Sequence, residues 1–455
     1  MLTTILSAVA LIAQRDSTTL VTRYRPAAER IIAAATADSA AWRRLAELVD
    51  RFGNRLSGSD NLERAIDWAL DEMKRDGLQN VRGEPVMVPH WVRGQESVEL
   101  MSPVRRRLPM LGLGGSIGTP AGGITAEVLV VSSFDELERR AGEAKGRIVL
   151  FDVPFTNYGQ TVQYRRNGAV AAARAGAVAS LIRSVTPNSM KTPHTGSMAY
   201  DSLVTRIPHA AITVEDAMML HRMQDRGQRP VVKVEMGAQT LPDAPSRNTV
   251  AEIVGREKPN EVVLLSGHYD SWDVGTGAMD DGGGAVASWE AVRLLQKLGL
   301  RPRRTVRVVM WTNEENGLAG GNGYRDAHVN EIDHHVLAVE SDAGVFAPRG
   351  FGFTGSDSAL QIVRWVSALL EPVGADSISR GGGGADIGPI MARGVPGMGL
   401  EVDGTRYFWY HHSDADTIDK LDPADMAKCV AVLAVMAYVV ADMEQPLPRG
   451  VAATR

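Results

Sequence analysis

Apolar and polar positions follow two rhythms along this chain. Short apolar runs rich in β-branched residues occur at residues 261–265 (EVVLL) and in RNTVAEIVG, RTVRVVMWT and VLAVES. Such runs predict buried strands. Between them the period turns helical. Ala285, Trp289, Val292 and Leu295 mark a helix after Gly282-Gly283-Gly284, and Leu45, Leu48 and Val49 mark another earlier in the chain. Ile66, Leu70 and Met73 mark a third, opened by Ser57-Gly58-Ser59-Asp60 with Asp60 as the expected cap. The last helix, MAKCVAVLAVMAYVVADM, is apolar on nearly all sides and must be buried. Strands alternating with helices predict an α/β fold, a mostly parallel sheet with helices on both faces. Residues 81–92 look extended, and Pro85 and Pro89 suit an edge strand.

The texture changes at residues 111–123, LGLGGSIGTPAGG. No phosphate-binding glycine pattern is present there, so the stretch reads as the way into a second domain. Residues 124–238 hold AEVLVV, GRIVLFDV, a helix around NGAVAAARAGA, ASLIRSV, HAAITV and VVKVEM, enough for a small β-rich unit. The expected division is 25–110 and 241–445 for one α/β domain, with 111–240 interrupting it. His194 and His209 have no carboxylate neighbours in sequence and read as structural or surface residues.

Composition narrows the function classes. A net charge of −5 over 455 residues argues against a nucleic-acid or membrane-surface binder. The basic run VRRRLP at 104–109 is short enough to be a solvated loop. Cys429 is the only cysteine, so thiolate metal clusters and intrachain disulfides are excluded. Residues 2–13 resemble the apolar part of a secretory signal, making 1–20 a candidate signal segment and export, secreted or periplasmic, the expectation. No other stretch is expected to span a bilayer.

The chemistry gathers where strands end. One run ends in His268-Tyr269-Asp270, the next in Glu314-Glu315, the next in Asp342. Ligands of open α/β sheets bind at such carboxyl ends. Each motif alone has a plain explanation: His268 could be a core histidine, Glu314-Glu315 a solvated face, Asp280-Asp281 a helix cap. Neighbours on a strand point to opposite faces, so Glu314 and Glu315 can address one site only from a turn. With Asp280 and His412 added from loops, the acids would crowd one crevice and raise one another's pKa unless cations neutralise them. Nitrogen and oxygen donors without sulfur suit two zinc ions, with manganese or cobalt as alternatives.

HYDSWDVGTGAMDDGGG, WTNEENG, ESDAG and HHSDADT resemble the metal motifs of the di-zinc exopeptidase family that includes aminopeptidases and glutamate carboxypeptidases. The likeness extends through SGSDNLERAI, VPHWVRG and GLGGSIGTPAGGITAEVLVV to nearly the whole chain. It implies that the interrupting unit is a protease-associated domain. It also implies that His268 and Asp342 hold one zinc, Glu315 and His412 the other, and Asp280 bridges them. Glu314 matches the general base and Asp270 the acid that orients His268. His411 or Tyr410 is the candidate oxyanion donor. The loop 381–386, GGGGAD, lines the substrate pocket in that family, so Gly384 and Asp386 are candidate substrate contacts, Asp386 to an ammonium group. The implied activity is hydrolysis of small unblocked peptides, notably dipeptides, by a homodimer. An aminopeptidase with the same centre, a one-zinc glutaminyl cyclase-like acyltransferase and a non-catalytic receptor remain as alternatives, the last disfavoured by the full ligand set.

Overall fold

The computed structural model describes residues 2–449, with side chains from residue 18 onward. The apolar core of the expected signal segment, residues 2–13, lies outside the described side chains. Thirteen α-helices, counted among the described residues, surround two eight-stranded sheets.

The first sheet runs in the order Gln79–Val92, Gln239–Ile253, Arg304–Trp311, Lys258–His268, His335–Glu340, Gly397–Val402, Pro348–Thr354, Ser377–Arg380. Its four central strands, Arg304–Trp311 to Gly397–Val402, are parallel. Antiparallel pairs flank them on both sides. The expected mostly parallel sheet is thus a parallel centre inside a mixed sheet. The reason is connectivity: Gln79–Val92 leaves for the second sheet and Gln239–Ile253 returns from it, so the two pair as a long antiparallel ribbon. The proline-bearing strand is the edge.

Successive residues of Lys258–His268 serve opposite faces, as the period of a strand requires. Val263 and Leu265 join a core with helices Ala40–Phe52, Asp60–Arg75, Gly283–Lys297 and Pro423–Asp442. Val262 and Leu264 join a smaller core on the other face with Tyr324, Ile387 and Ile390. Helix Pro423–Asp442 is long and apolar enough to cross a bilayer, yet 78% of its apolar window is buried inside the fold. Cys429 sits there, fully buried. Ser59, not Asp60, caps the third helix by accepting from the Leu62 amide, and Asp60 takes the first helical position.

The second sheet, in the order Arg106–Leu108, Glu96–Ser102, Val231–Met236, Ile124–Val131, Ile148–Phe151, Ala179–Arg183, His209–Ile212, Met110–Gly112, draws only on residues 96–236. Its first strand therefore precedes the expected start at residue 111. The basic run expected to be a loop supplies Arg106–Leu108, paired with Glu96–Ser102. The glycine-rich stretch opens inside this unit, with Met110–Gly112 paired to His209–Ile212. The amphipathic and glycine signals there were too weak to reveal strands of three residues.

The two units are joined tightly. Leu56, Trp91, Leu111, Ala238, Trp272 and Val274 form an apolar neck, and a β-carbon on Gly114 would overlap the Trp272 ring. The Arg93 guanidinium grips Asp273 at 2.8 and 2.5 Å and donates to the Gly112 carbonyl of the second unit. Tyr158 of the second unit stacks on Phe408 of the first at 4.9 Å.

Candidate metal centre

The centre is built where the parallel strands end. Lys258–His268 delivers His268 beside the start of helix Gly283–Lys297. The approach is close: a β-carbon on Gly267 would lie 2.5 Å from the Ala285 nitrogen and from Asp281 Oδ2. On Gly282 it would lie 2.6 Å from the Gly277 carbonyl oxygen, and on Gly284 it would overlap the Ser341 carbonyl. The triple glycine is what lets this helix begin against the strand ends. Asp281 accepts from the His268 amide at 3.1 Å and the Gly284 amide at 3.1 Å, so it ties the strand end to the helix start. Asp280 faces the other way.

Asp280 stands between two imidazoles, with Oδ1 at 3.2 Å from His268 Nε2 and Oδ2 at 3.2 Å from His412 Nε2. Asp342 Oδ1 is 3.4 Å from His268 Nε2, and Glu315 Oε2 is 3.0 Å from His412 Nε2. The five expected ligands therefore converge. Three sets of ligand atoms lie within 4.8 Å of one another: His268, Asp280 and Glu315; His268, Asp281 and Asp342; Asp280, His411 and His412. Asp280 Oδ2 and Glu315 Oε1 are buried without a hydrogen bond among the described residues. Oδ2 is faced by His412 at 3.2 Å and His411 Nε2 at 3.5 Å, near enough to attract but without hydrogen-bond geometry. Two imidazoles and several carboxylates with orphaned lone pairs fit zinc.

Electrostatics point the same way. Burial, then the Asp280 charge, pushes Glu315 up to about 7. Burial, then the Asp342 charge, pushes Glu340 to about 7. Glu314 is held well above the usual carboxylate range by burial and then by Asp342 and Glu315, against the pull of His268. Burial would lower His412, but Glu315 and Asp280 outweigh it and raise the imidazole to about 10. Without cations the site must hold extra protons, which bound cations would displace.

Turn geometry separates the two glutamates. Asn313 has a φ of 67° in the left-handed region. The Asp270 carboxylate then accepts from the Glu314 and Glu315 amides at 3.0 and 3.3 Å. Glu315 points at His412, whereas Glu314 stays free, 4.0 Å from His268 Nε2 with a side chain 21% exposed. Asp270 was expected to orient His268 through its carboxylate. That carboxylate is 3.9 Å from Nδ1, and the ring Nδ1–H donates instead to the Asp270 carbonyl at 2.9 Å. The ring is still fixed with Nε2 toward the centre.

The other expected residues divide. His411 stacks on His412 with ring centroids 3.5 Å apart, and burial and the His412 charge hold it well below its ordinary pKa. Tyr410 is turned away into the main core, its ring 5.8 Å from Lys420 Nζ. A helical turn separates it from Tyr407, whose hydroxyl is raised by burial and then by Asp280 and Asp342. Asp386 is not a solvated loop acid: it is 1% exposed, with both carboxylate oxygens unpartnered among the described residues. Burial and the Glu340 and Glu314 charges raise it well above the usual range. Gly384 makes room for the Glu340 carboxylate, which accepts from the Ile387 amide at 2.8 Å.

Sequence reasoning missed four supports. Asp416 receives the Met279 and Asp280 amides at 2.7 and 3.2 Å, and its place in an acid–Thr pair after His412 was its only signal. Arg55, fully buried, donates to the carbonyls of Gly53, Tyr269, Thr276 and Gly277. Glu340 had no signal beyond its place in a strand. His194, read as structural or surface, is buried with Nδ1 2.7 Å from the His411 carbonyl oxygen. His209 is buried on backbone carbonyls, as a structural residue would be.

Residues 248–451 match the model of peptidase family M28. The chain is 53% identical over 434 residues to carboxypeptidase Q of Xenopus laevis, covering 95% of this chain and 92% of that protein. The solved structure of a peptidase M28 precursor from Shewanella amazonensis SB2B superposes with a TM-score of 0.90 at 36% identity, covering 94% of this chain and 99% of that one. BSAP, a zinc aminopeptidase from Bacillus subtilis, shares the fold at a TM-score of 0.67 and 19% identity, covering 90% of this chain and 98% of that one. With that kinship and a nitrogen–oxygen metal site at the strand ends, the chain belongs to peptidase family M28 as a carboxypeptidase Q-like, metal-dependent exopeptidase.

Proposed function

We propose that the centre holds two zinc ions and that the enzyme hydrolyses small unblocked peptides, chiefly dipeptides, with Glu314 as general base. His268 and Asp342 would hold one ion, Glu315 and His412 the other, with Asp280 between them. The observation that carries the reading is the divergence of the two adjacent glutamates. Glu315 is committed to His412, whereas Glu314 belongs to none of the ligand-like sets and keeps about a fifth of its side chain exposed.

Bound there, zinc supplies Lewis acidity that brings a water's pKa toward neutrality and polarises a peptide carbonyl. Glu314 takes the water's proton on its carboxylate and passes it to the leaving amine nitrogen. Asp270 holds Glu314 in place through the backbone amide. His411, kept neutral by burial and by His412, is the donor offered to the carbonyl oxygen as charge develops on it. Asp386 receives the substrate ammonium, whose charge relieves the buried, unpartnered carboxylate. The unit at residues 96–236 acts as a protease-associated domain that encloses the site. An ammonium subsite also suits an aminopeptidase, so substrate choice separates the two modes.

The test is a panel of free dipeptides, N-acetylated dipeptides and aminoacyl anilides, given to the zinc-loaded protein with and without chelator. Free dipeptides should be cleaved, chelator should abolish cleavage, and zinc should restore it. Activity confined to anilides would establish the aminopeptidase mode instead. Absence of any chelator-sensitive hydrolysis would overturn the enzymatic reading.

A further inference from the structure

We propose that the second unit completes the metal centre, with His194 and Thr195 as positioning residues for the His411–His412 pair. This inference rests on the reading of His412 as a metal ligand. Three hydrogen bonds make the connection. His194 Nδ1–H donates to the His411 carbonyl at 2.7 Å, the Thr195 amide donates to the His412 carbonyl at 2.8 Å, and His412 Nδ1–H donates back to the Thr195 carbonyl at 3.3 Å.

The third bond fits the tautomer that a ligand at Nε2 needs. With Nδ1 protonated, the lone pair of His412 is on Nε2, the atom that faces Glu315 and Asp280. Arg165 Nη1 lies 3.3 Å from the same Nδ1 and 3.4 Å from the Thr195 oxygen. A guanidinium only donates, so Arg165 could bond Nδ1 only in the other tautomer; with Nε2 given to a metal, Nδ1 keeps its proton and Arg165 and His412 both donate into the Thr195 carbonyl. Arg165 is itself 4% exposed and braced by the Tyr158 hydroxyl at 2.8 Å.

The first two bonds address the backbone. His412 has a φ of 60°, a left-handed conformation that costs a non-glycine residue about 1 kcal/mol or more. Such a conformation persists when its surroundings fix it, and here the fixing groups come from another unit of the chain. The His194 ring is buried, its Nε2 has no partner among the described residues, and its one side-chain hydrogen bond goes to the His411 carbonyl. The interrupting unit thus sets the geometry of a ligand.

Two polar replacements separate the atoms of the imidazole. In His194→Asn the side-chain amide nitrogen stands near the place of Nδ1, and in His194→Gln it stands near that of Nε2. Each variant, with wild type and His412→Ala, is stripped of metal and titrated with cobalt(II), following the visible absorption and competition with a chelator, alongside melting of the metal-free form. His194→Gln should weaken one of two cobalt ions by about 10–100-fold, leaving the other unchanged and lowering the metal-free melting temperature only by the small amount that one stranded carbonyl costs. His194→Asn should bind as wild type does. His412→Ala should lose that same ion. If His194→Gln binds both ions like wild type while His412→Ala loses one, the positioning role is overturned and the ligand assignment stands. Should His412→Ala keep both ions, the ligand assignment itself fails.

Discussion

At the residue scale, the two acidic doublets each split their work. Asp281 ties a strand end to a helix start while Asp280 turns to the imidazoles; Glu315 meets His412 while Glu314 stays open. Glu314→Gln removes the proton acceptor and leaves every ligand in place. It should bind zinc like wild type and lose about 10²–10⁴-fold in kcat. Zinc content by atomic absorption and turnover of a free dipeptide check both halves, and full activity would refute the assignment. Asp280→Ala removes the carboxylate that touches both imidazoles, so zinc content should collapse together with activity. Asp386→Ala should raise KM for free dipeptides about tenfold or more, the loss expected when a buried charge pair at the substrate ammonium is removed. An unchanged KM would remove Asp386 from the substrate site.

At the element scale, the loop between strand Lys258–His268 and helix Gly283–Lys297 depends on a residue some 200 positions earlier. Arg55 donates to Tyr269 at 2.9 Å, Thr276 at 2.7 Å and Gly277 at 2.9 Å, carbonyls that carry the chain from His268 to Asp280. Arg55→Met keeps the bulk and strands these acceptors, each worth about 1 kcal/mol or more when buried. Thermal melting should fall by several degrees, and zinc should bind more weakly because Asp280 loses its frame. A variant with wild-type melting and wild-type zinc affinity would show that the loop holds itself. The same contact explains what the sequence could and could not tell. His268, Glu314, Glu315 and Asp342 were legible because apolar runs end at them, and parallel strands bring such ends to one edge. Arg55, Asp416 and Glu340 act through contacts between distant segments, which no local period records. Strands Pro348–Thr354 and Gly397–Val402 were missed because Gly350, Gly352, Gly397 and Gly399 break the apolar alternation, although pairing to neighbours holds them in the sheet. The start of the second unit at Glu96 was missed because Glu96–Ser102 buries only Val98 and Leu100 among mostly polar neighbours, and its partner Arg106–Leu108 is three residues long with two exposed arginines.

At the scale of the whole molecule, the centre stores a conflict between folding and charge that cations resolve. In the metal-free protein Glu315 and Glu340 titrate at about 7, against an ordinary 4.5. The folded state therefore keeps protons that the unfolded chain releases between these values. Stability falls with rising pH wherever the folded state binds more protons, so these two carboxyls pull metal-free stability down from about pH 4.5 to 7, against His194, His209 and His335, which burial holds at about 4 and which act in the opposite sense with or without metal. His412 adds to the trend. Raised to about 10 from 6.5, it stabilises the fold while protonated and loses that contribution as pH climbs through the higher value. Asp280, drawn well below its ordinary range by His268 and His412 against the effect of burial, is ionised throughout this window and leaves the slope unchanged. Bound zinc takes the place of these protons, so its affinity should weaken about tenfold per pH unit for each proton displaced as pH drops below 7. Calorimetry at pH 5, 6, 7 and 8, with zinc or with chelator, should show a gap between the two melting temperatures that widens as pH rises. A gap that is constant over this range would mean that the carboxylates hold no excess protons in the empty site. The crowding of acids at the strand ends would then have to be relieved by the protein itself rather than by metal.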